Sequence, residues 1–305
     1  MSTIVVIRGA ADIPLIAGRL PGAEVHESPT LDATDPHLAG TADVLVLRSG
    51  QRLDAARLAR WPALRHVIRA GSGLDGIDTT ALQEQGVSVH RNPHSSAGAV
   101  AEWALAAFLA LARRIPYGHA ALAHGEHTKT ACLAPPPSTL RLAIWGGGPI
   151  GHACAGALAP YVADITYAAR ASLPAHYRQL PPGELTGWAD VHLVALPLNG
   201  QTHGMFGPAF LDAVRPRRPH LICVGRMDTL DVPACLRALA ADELAGLAID
   251  PIDAHDPPLP TGGRPMNLLL TPHIGAQRTD VRTVLDSWVA DTVRDLLTPA
   301  KDTDP

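Results

Sequence analysis

Short apolar runs alternate with helical patterns along most of this chain. Each run has four to seven residues and is rich in apolar and β-branched side chains, which is typical of buried strands. The runs lie at 4–7, 43–48, 66–70, 87–90, 140–145, 164–168, 190–196, 220–224, 246–250 and 267–272. Helical spacing appears at 149–160, 207–214 and 231–242. The alternation predicts βαβ units, and hence parallel sheets with helices on both faces.

A longer segment, 98–114, is apolar nearly all round and ends in basic residues, so it is predicted to be a long, largely buried helix. Four of the predicted strands precede this helix and six follow it. We therefore expect two α/β domains, of which the second spans 98–278. A last helix, at about 279–297, is expected to pack back onto the first domain, which then consists of 1–97 and 279–305. The chain would cross between the domains twice, making a cleft.

Composition and charge favour a soluble protein that acts on small molecules. The chain of 305 residues is 47% hydrophobic and 18% charged, which suffices for sizeable cores. Its net charge of −4 gives no general attraction for nucleic acid or an anionic membrane. No apolar run approaches the roughly 18 residues of a membrane helix, and the start shows no signal peptide. The four cysteines are scattered without a CxxC pair, so a cytoplasmic protein with reduced thiols is expected.

A glycine-rich turn follows the fifth predicted strand. Gly146, Gly148 and Gly151 form G-x-G-x-x-G between a strand and a helical pattern, which is the context in which this pattern binds a dinucleotide. The first glycine permits a tight turn, the second lets the backbone approach a pyrophosphate, and the third lets the helix pack close to the strand. The pyrophosphate is expected at the helix N-terminus, beside Pro149 and Ile150.

The residues after the next strand predict which nicotinamide dinucleotide is bound. An acidic residue about 20 positions beyond the glycines usually accepts hydrogen bonds from the adenosine ribose. Here Ala169 stands in that region, followed by Arg170 and Ser172. A carboxylate would repel a 2′-phosphate, whereas an arginine fork and a hydroxyl would bind it. The pattern therefore favours NADP(H) over NAD(H).

Five segments of the chain match motifs of one enzyme family, in that family's order. They are RAGSGLDGID (69–78), AVAEWALAAFLALARRIP (99–116), GGGPIG (146–151), LPLNGQTHGMF (196–206) and LTPHIGAQ (270–277). Together they resemble the D-isomer-specific 2-hydroxyacid dehydrogenases, the family of phosphoglycerate dehydrogenase and of glyoxylate and hydroxypyruvate reductases. The resemblance implies two Rossmann-like domains, with the active site in the cleft between a substrate-binding domain and a dinucleotide-binding domain.

The resemblance also implies a reaction, the reduction of a small 2-oxo acid to a D-2-hydroxy acid. Arg226 matches the arginine that holds the substrate carboxylate and carbonyl oxygen; a guanidinium can grip both and polarise the ketone. His273 matches the general acid/base, a role that suits a side chain titrating near neutral pH. Backbone N–H groups of the Gly71–Ser72–Gly73 loop are implied to bind the carboxylate.

Further cofactor contacts and an oligomeric state come from the same resemblance. Pro197 and Thr202 lie in the LPLNGQTHGMF segment, Val224 precedes Arg226 by two residues, and Asp250 ends the GLAID run. All four side chains are implied to line the dinucleotide site. A homodimer is implied as well, formed through the domain that carries the long helix.

The partner of His273 is ambiguous in the sequence. The family pairs this histidine with a glutamate in a D-V-F-x-x-E-P-like segment, which reads IDPIDAHDPPLP here. Asp250 matches the first residue of that segment. Counting without a gap puts His255 at the glutamate position, and allowing one inserted residue puts Asp256 there, directly before Pro257. Asp256 is the favoured partner, because a carboxylate orients and stabilises an imidazolium better than a second imidazole does.

Other positions depart from the family pattern. Gly76 replaces a usual asparagine, and Met227 replaces a usual glycine, so Met227 is expected to narrow or reshape the substrate pocket. The linker 117–139 lacks the usual tryptophan and carries three histidines and a glutamate. Their spacing fits no zinc signature, and no metal site is expected.

Two alternative functions stay open. A formate- or phosphite-type dehydrogenase would share the fold, although Gly76 counts against the formate version because that loop usually carries asparagine. A nucleotide-sensing, corepressor-like binding protein would be favoured by an impaired acid/base partner. Retention of both Arg226 and His273 argues against a protein that only binds.

Overall fold

The computed structural model describes residues 1–168, 173, 177–253, 256, 259 and 263–298. It divides into two compact units, Met1–Ser96 with Arg278–Pro305, and Ala97–Gln277. Each unit is built on its own parallel sheet. The prediction of two parallel-sheet α/β domains is confirmed.

Five parallel strands form the sheet of the first unit: β1 (Thr3–Ile7), β2 (Glu24–Ser28), β3 (Val44–Leu47), β4 (His66–Arg69) and β5 (Ser88–Arg91). Their order is β2-β1-β3-β4-β5. Strands β1 and β3 are buried along their whole length, as expected of central strands covered on both faces. The sequence did not predict β2, because this edge strand, EVHES, is polar and only its last residue is buried.

Four short helices in the first unit each begin at an aspartate. They are α1 (Ile13–Arg19), α2 (Pro36–Thr41), α3 (Ala55–Leu58) and α4 (Thr79–Glu84). In each case the preceding carboxylate accepts a hydrogen bond from the first turn, with caps at Asp12, Asp35, Asp54 and Asp78. Such a cap satisfies a backbone donor that the helix leaves unpaired and stabilises it by about 1 kcal/mol.

The second unit contains a seven-stranded sheet, parallel throughout. Its strands are β6 (Arg141–Trp145), β7 (Asp164–Ala168), β8 (Arg178–Gln179), β9 (Val191–Val194), β10 (His220–Cys223), β11 (Gly246–Ile249) and β12 (Leu268–Leu270). The strand order is β12-β11-β10-β9-β6-β7-β8. From β6, successive strands are added first on one side of the sheet and then, starting with β9, on the other. In open parallel sheets, ligands bind beyond the carboxyl ends of the strands at such a switch point.

The described residues of the second unit form six α-helices: α5 (Ala97–Ala112), α6 (Ile115–Ala123), α7 (Pro149–Leu158), α8 (Pro182–Trp188), α9 (Pro208–Val214) and α10 (Val232–Ala240). The long helix predicted at 98–114 corresponds to α5, which ends at Ala112, and a separate helix, α6, follows it. The division has a local cause, since Arg114 adopts a left-handed conformation (φ 54°) and Pro116 lies in the first turn of α6.

Separate apolar clusters fill the core on the two faces of this second sheet. One contains α5 residues such as Phe108 and Leu111 together with Ile144 of β6. The other contains Trp145, which meets the ring of Phe206 edge-on at a centroid distance of 5.1 Å. The alternating residues of β6 thus serve both cores and hold the strand that leads into the glycine turn.

The last helix, α11 (Thr279–Leu297), belongs to the first unit. Leu285, Val289 and Val293 pack in one cluster with apolar residues of β1 and β3. Among the helices of the described residues, none combines the length and apolar character that crossing a bilayer requires.

Candidate active site

The glycine turn joins β6 to α7 with no room for larger side chains at two of its positions. Gly146 has a φ of +117°, and a Cβ placed there would lie 2.8 Å from the carbonyl oxygen of Ala195. A Cβ on Gly151 would lie only 2.0 Å from the carbonyl oxygen of Gly146. Both glycines are therefore required for the close passage of strand, turn and helix.

The N-terminus of α7 offers donors that the protein itself does not cap. Gly148 is the N-cap residue, and it has no side chain that could accept from the first turn. It is exposed, and a Cβ there would meet nothing within 4 Å. Pro149 has no N–H, and the next residue, Ile150, is half-exposed. A bare, exposed helix N-terminus after a glycine turn fits the pyrophosphate of a dinucleotide.

The predicted selectivity residues, Arg170 and Ser172, lie outside the described residues, as does Ala169. The strand leading to them is described, and the N–H of Gly146 donates to the carbonyl of Ala168 at its end (3.0 Å).

The segment after β9 is shaped by Thr202. Its hydroxyl donates to the carbonyl oxygen of Pro197 (2.6 Å) and accepts from the N–H of Asn199 (2.9 Å). Thr202 is 5% exposed, whereas Pro197 lies on the surface. Thr202 therefore stabilises this turn. Its predicted contribution to cofactor binding would be indirect, because it positions Pro197.

Arg226 is presented by a supported turn after β10. Its carbonyl oxygen accepts from the hydroxyl of Thr229 (2.7 Å) and from the thiol of Cys223 (3.4 Å). Burial raises the pKa of Cys223 to about 11, so this thiol stays protonated and remains a donor. The guanidinium is half-buried and one of its nitrogens donates to the carbonyl of Gly225 (2.7 Å).

Two neighbours of Arg226 serve the packing of the unit. Val224 is 6% exposed and Met227 is 8% exposed, and each belongs to an apolar core cluster. The expectation that Met227 reshapes a substrate pocket is not supported by this position, because its side chain makes core contacts with the body of the second unit.

Asp250 builds the loop that carries the histidine. This carboxylate is 3% exposed and accepts from the hydroxyl of Thr271 (2.6 Å) and the N–H groups of Ile274 (2.8 Å) and Gly275 (2.8 Å). A Cβ on Gly275 would lie 2.7 Å from that same carboxylate, so glycine is needed for the contact. Asp250 was predicted among the cofactor-binding residues, and the structure shows its carboxylate engaged with the loop.

His273 sits at the centre of that loop in a left-handed backbone conformation, with φ of 55°. A non-glycine residue in this region is strained, and its N–H is held by the carbonyl of Asp250 (2.7 Å). The ring nitrogen Nδ1 lies 3.0 Å from Oδ1 of Asp253. This carboxylate accepts from Nδ1–H and so leaves Nε2 as the nitrogen available for proton exchange.

The carboxylate beside His273 is therefore not at the predicted position. Asp256 was favoured, yet its own carboxylate accepts from the backbone N–H of Asp253 (2.6 Å) and stabilises the turn. His255, the second choice, lies outside the described residues. The correction has a physical reason: Asp250 fixes the start of the segment, and the turn closed by Asp256 brings back the residue three positions after Asp250.

In the first unit, the Gly71–Ser72–Gly73 loop follows β4 and is held by two guanidinium groups. Nε of Arg69 donates to the carbonyl of Gly73 (3.0 Å), and a nitrogen of Arg91 donates to the carbonyl of Ser72 (2.7 Å). Within the described part of the chain, the N–H groups of Ser72 and Gly73 donate to no acceptor. Both can serve an anion, and the sequence reasoning missed the two arginines that orient them.

Gly76, a departure from the family pattern, has a packing reason. A Cβ at this position would lie 2.4 Å from the carbonyl oxygen of Gln51, which no side chain can tolerate. The local path of the backbone thus demands glycine here.

The histidine-bearing linker is largely helical. His119 lies within α6, and His124 follows it with Nδ1 2.8 Å from the carbonyl oxygen of Ala120. Among the described residues, no group of three or more His, Cys, Asp or Glu side chains is arranged to hold a metal ion.

The tight glycine turn and the switch point of the parallel sheet are features of a dinucleotide-binding domain. Residues 105–275 match the model of the D-isomer specific 2-hydroxyacid dehydrogenase, NAD binding domain. This match covers more than half of the chain, and the chain belongs to that family. The resemblance noted from the motifs is confirmed.

Curated relatives agree with this assignment. The D-3-phosphoglycerate dehydrogenase of Mycobacterium bovis is 29% identical over 264 residues, covering 83% of this chain and 49% of the relative. This chain thus spans about half the length of the first curated relatives that it matches. The glyoxylate reductase of Pyrococcus furiosus is 28% identical over 266 residues, covering 81% of this chain and 77% of the relative.

Solved structures share the fold. The TT0316 protein of Thermus thermophilus is 29% identical with a TM-score of 0.81, and the match covers 94% of each chain. An NADPH-dependent glyoxylate/hydroxypyruvate reductase of Sinorhizobium meliloti, in complex with NADP and malonate, is 22% identical with a TM-score of 0.83, covering 100% of this chain and 97% of that one. An NAD-dependent formate dehydrogenase of Staphylococcus aureus, in complex with NAD, is 21% identical with a TM-score of 0.84, covering 98% and 97%.

Proposed function

We propose that this protein reduces a small 2-oxo acid to a D-2-hydroxy acid with a nicotinamide dinucleotide. The observation that carries the proposal is the loop built on Asp250, which presents His273 with the carboxylate of Asp253 at Nδ1. A buried carboxylate, a strained histidine and a second carboxylate are a costly arrangement for a loop that only connects two elements.

Substrate binding is assigned to charged and backbone donors. The Arg226 guanidinium binds the substrate carboxylate and carbonyl oxygen, and it polarises the ketone. The unused N–H groups of Ser72 and Gly73 supply further donors to the carboxylate. These groups hold the ketone carbon in place for attack and leave its oxygen accessible to a proton donor.

Proton transfer is assigned to His273. In the reducing direction, its protonated Nε2 donates a proton to the carbonyl oxygen as the C–O double bond becomes a single bond. In the oxidising direction the neutral Nε2 takes the proton from the hydroxyl. Asp253 is a positioning residue, because it fixes which nitrogen faces the substrate and stabilises the imidazolium.

The cofactor site fits a dinucleotide. The tight glycine turn, the exposed N-terminus of α7 and the switch point between β6 and β9 are what a pyrophosphate requires. A bound nicotinamide supplies the hydride that adds to the ketone carbon, and the proton comes from His273.

NADPH is the proposed cofactor, on the strength of Ala169, Arg170 and Ser172 in the sequence. Charged hydrogen bonds from Arg170 to a 2′-phosphate should contribute roughly 1.5–3 kcal/mol. Arg170→Ala is expected to weaken NADPH binding by about 10- to 150-fold and to leave NADH binding nearly unchanged. Fluorescence titration with both cofactors tests this, and a wild type that prefers NADH contradicts the proposed selectivity.

The reaction itself is tested by a turnover assay with glyoxylate, hydroxypyruvate and longer 2-oxo acids, each with NADPH and with NADH. Turnover of at least one 2-oxo acid is expected. Oxidation of formate or phosphite without any reduction of a 2-oxo acid would assign the chain to the alternative chemistry. Tight dinucleotide binding without turnover of any substrate would indicate a nucleotide sensor.

A homodimer is proposed through the second unit. Ile115, Leu122 and Leu133 are apolar side chains that are 58%, 65% and 87% exposed, and all three lie within one segment of about 20 residues. Contact with a second copy would cover them. Analytical ultracentrifugation should show a dimer that Leu122→Glu weakens; a monomeric wild type at micromolar concentration contradicts this.

A further inference from the structure

The end of β5 carries an arginine that the proposed reaction does not require. Arg91 is exposed, and one of its nitrogens donates to the carbonyl oxygen of Ser72 (2.7 Å). The next residue, Asn92, ties the same strand end to the loop, because its N–H donates to the carbonyl of Gly71 (3.3 Å). Arg91 is thereby fixed beside the loop, within the first unit.

Arg91 differs from most arginines of the first unit. Arg57 and Arg65, for example, are each engaged by a carboxylate, at Asp32 and Asp43. Among the described residues, no carboxylate lies within salt-bridge distance of Arg91 and only one hydrogen bond uses its five donors. An uncompensated guanidinium at this place retains donors and a full charge for a ligand.

Two kinds of donor therefore stand side by side. The N–H groups of Ser72 and Gly73 can bind one anionic group, and Arg91 is anchored on the carbonyl of that same Ser72. A carboxylate on the Ser72 N–H and the Arg91 guanidinium on the Ser72 carbonyl would each lie one hydrogen bond of about 3 Å from the same residue. Arg91 is therefore close enough to contact a second anionic group of a compact ligand bound to this loop.

We propose that Arg91 makes this protein selective for 2-oxo acids that carry a second anionic group, either a carboxylate or a phosphate. The inference rests on the proposed function, because it takes the Gly71–Ser72–Gly73 loop as the site of the 2-oxo acid's carboxylate. Arg91 binds the distal anion through its free donors, and a planar fork suits both carboxylate and phosphate. Arg69 is 8% exposed, and its hydrogen bond to the carbonyl of Gly73 stabilises the loop.

The test uses substrate pairs of equal carbon number that differ only in the distal group. Oxaloacetate is compared with 2-oxobutanoate, and 2-oxoglutarate with 2-oxopentanoate. A three-carbon phosphorylated 2-oxo acid is added to distinguish phosphate from carboxylate. For each pair, the ratio of kcat/KM for the dianion to kcat/KM for the monoanion is measured in wild type, Arg91→Gln and Arg91→Lys.

The wild type is expected to favour the dianion in at least one pair. Arg91→Gln should lower that ratio by about 10- to 150-fold, the range of a lost charged hydrogen bond. Arg91→Lys should lie between the two, since the charge remains while the fork is lost. Arg65→Gln removes a charge just before the start of β4, whereas Arg91 lies at the carboxyl end of β5, and it should leave the ratio unchanged. Thermal unfolding checks that each variant is folded.

Two results would overturn the inference alone: 2-oxobutanoate is reduced but the wild type shows no preference for any dianion, or Arg91→Gln slows dianions and monoanions equally. The second result would make Arg91 only a support of the loop. Failure to reduce any 2-oxo acid would contradict the proposed function, and with it this inference.

Discussion

Two glycine loops at the carboxyl ends of strands are built in opposite ways. The turn after β6 is held by the backbone itself: Gly151 lies so close to Gly146 that a single methyl group would collide with a carbonyl oxygen 2.0 Å away. The loop after β4 is held by side chains, with the guanidinium groups of Arg69 and Arg91 on its carbonyls. Both loops contain several glycines, but the first is supported by backbone contacts and the second by side chains.

The difference matches the anions that each loop is proposed to bind. A pyrophosphate is constant in every dinucleotide, so a rigid backbone cradle at a helix N-terminus serves it. A substrate varies in its distal group, and side chains beside a loop can be exchanged without changing the fold. The comparison predicts that a substitution in the turn after β6 abolishes cofactor binding, whereas a substitution beside the loop after β4 only weakens substrate binding.

The largest effect is expected from a methyl group in the backbone cradle. Gly151→Ala forces α7 away from β6 and should lower cofactor affinity by at least about 100-fold, or prevent folding, because the backbone carbonyl of Gly146 cannot yield. Gly156→Ala is the matched control in the same helix, since a Cβ there meets nothing within 4 Å. The control should bind NADPH normally and be slightly more stable. A Gly151→Ala protein that folds and titrates like wild type would refute the cradle.

Removal of the proposed acid comes next. His273→Asn should lower kcat by about 10²–10⁴-fold while the dissociation constant of NADPH stays within a few-fold. Asp253→Asn should cost less, about 10- to 150-fold, because the acid remains and only its charged partner is lost. Asp256→Asn keeps an oxygen acceptor for the turn and should change kcat little. If Asp256→Asn proves as damaging as Asp253→Asn, the structural assignment of the partner is wrong.

A smaller effect is expected in the loop supported by side chains. Arg69→Lys loses the Nε donor to the carbonyl of Gly73, so KM for the 2-oxo acid should rise by about tenfold. Cofactor affinity should not change, because the glycine turn belongs to the other unit. Steady-state kinetics with each ligand varied in turn provide the check, and Arg65→Lys, just before the same strand, is the control. Equal losses for substrate and cofactor would erase the distinction between the loops.

The smallest effect at neutral pH concerns stability of the second unit. Burial lowers the pKa of His192 to about 3 and that of His220 to about 4, against about 6.5 when unfolded. Both histidines are neutral in the folded protein, so the unfolded chain binds more protons below pH 6.5. Stability is therefore fully present above pH 6.5 and is lost as pH falls toward 4, by up to roughly 1.4 kcal/mol per pH unit for each histidine.

His192→Gln tests this acid sensitivity. Its amide oxygen can still accept the hydrogen bond that Trp145 donates to Nδ1 of His192 (3.1 Å). Urea unfolding at pH 7, 6 and 5 should show a shallower fall for the variant than for wild type. Parallel curves would mean that His192 is not the group that takes up the proton.

The sequence predicted the second unit better than the first. Each strand from β6 to β12 except β8 is a short apolar run, and β8 has only two residues. In the first unit, β2 was missed because an edge strand needs few apolar residues, and the four short helices depend on aspartate caps more than on periodicity. An aspartate can be identified as a helix cap in a sequence only when another signal already predicts a helix after it.

Within the candidate site, glycine spacing predicted the turn, and the motifs are the basis of the roles proposed for Arg226 and His273. They did not predict Asp253, because the register of that segment depends on Asp250, whose partners lie more than 20 residues away. Arg91 was missed for a similar reason: in the sequence it is a polar residue at the end of a strand, and its contact with Ser72 spans 19 residues. Both follow from tertiary contacts.

The most direct measurement follows the transferred hydride and asks whether its transfer depends on the proposed proton donor. The protein is incubated with a 2-oxo acid and a reduced nicotinamide cofactor that carries deuterium at the transferred position, and the product is analysed by NMR and chiral chromatography. The prediction is a D-2-hydroxy acid with deuterium on C2, formed by wild type and lost at least about 100-fold in His273→Asn. An unlabelled or L-configured product, or a His273→Asn variant as fast as wild type, would contradict the proposed reaction.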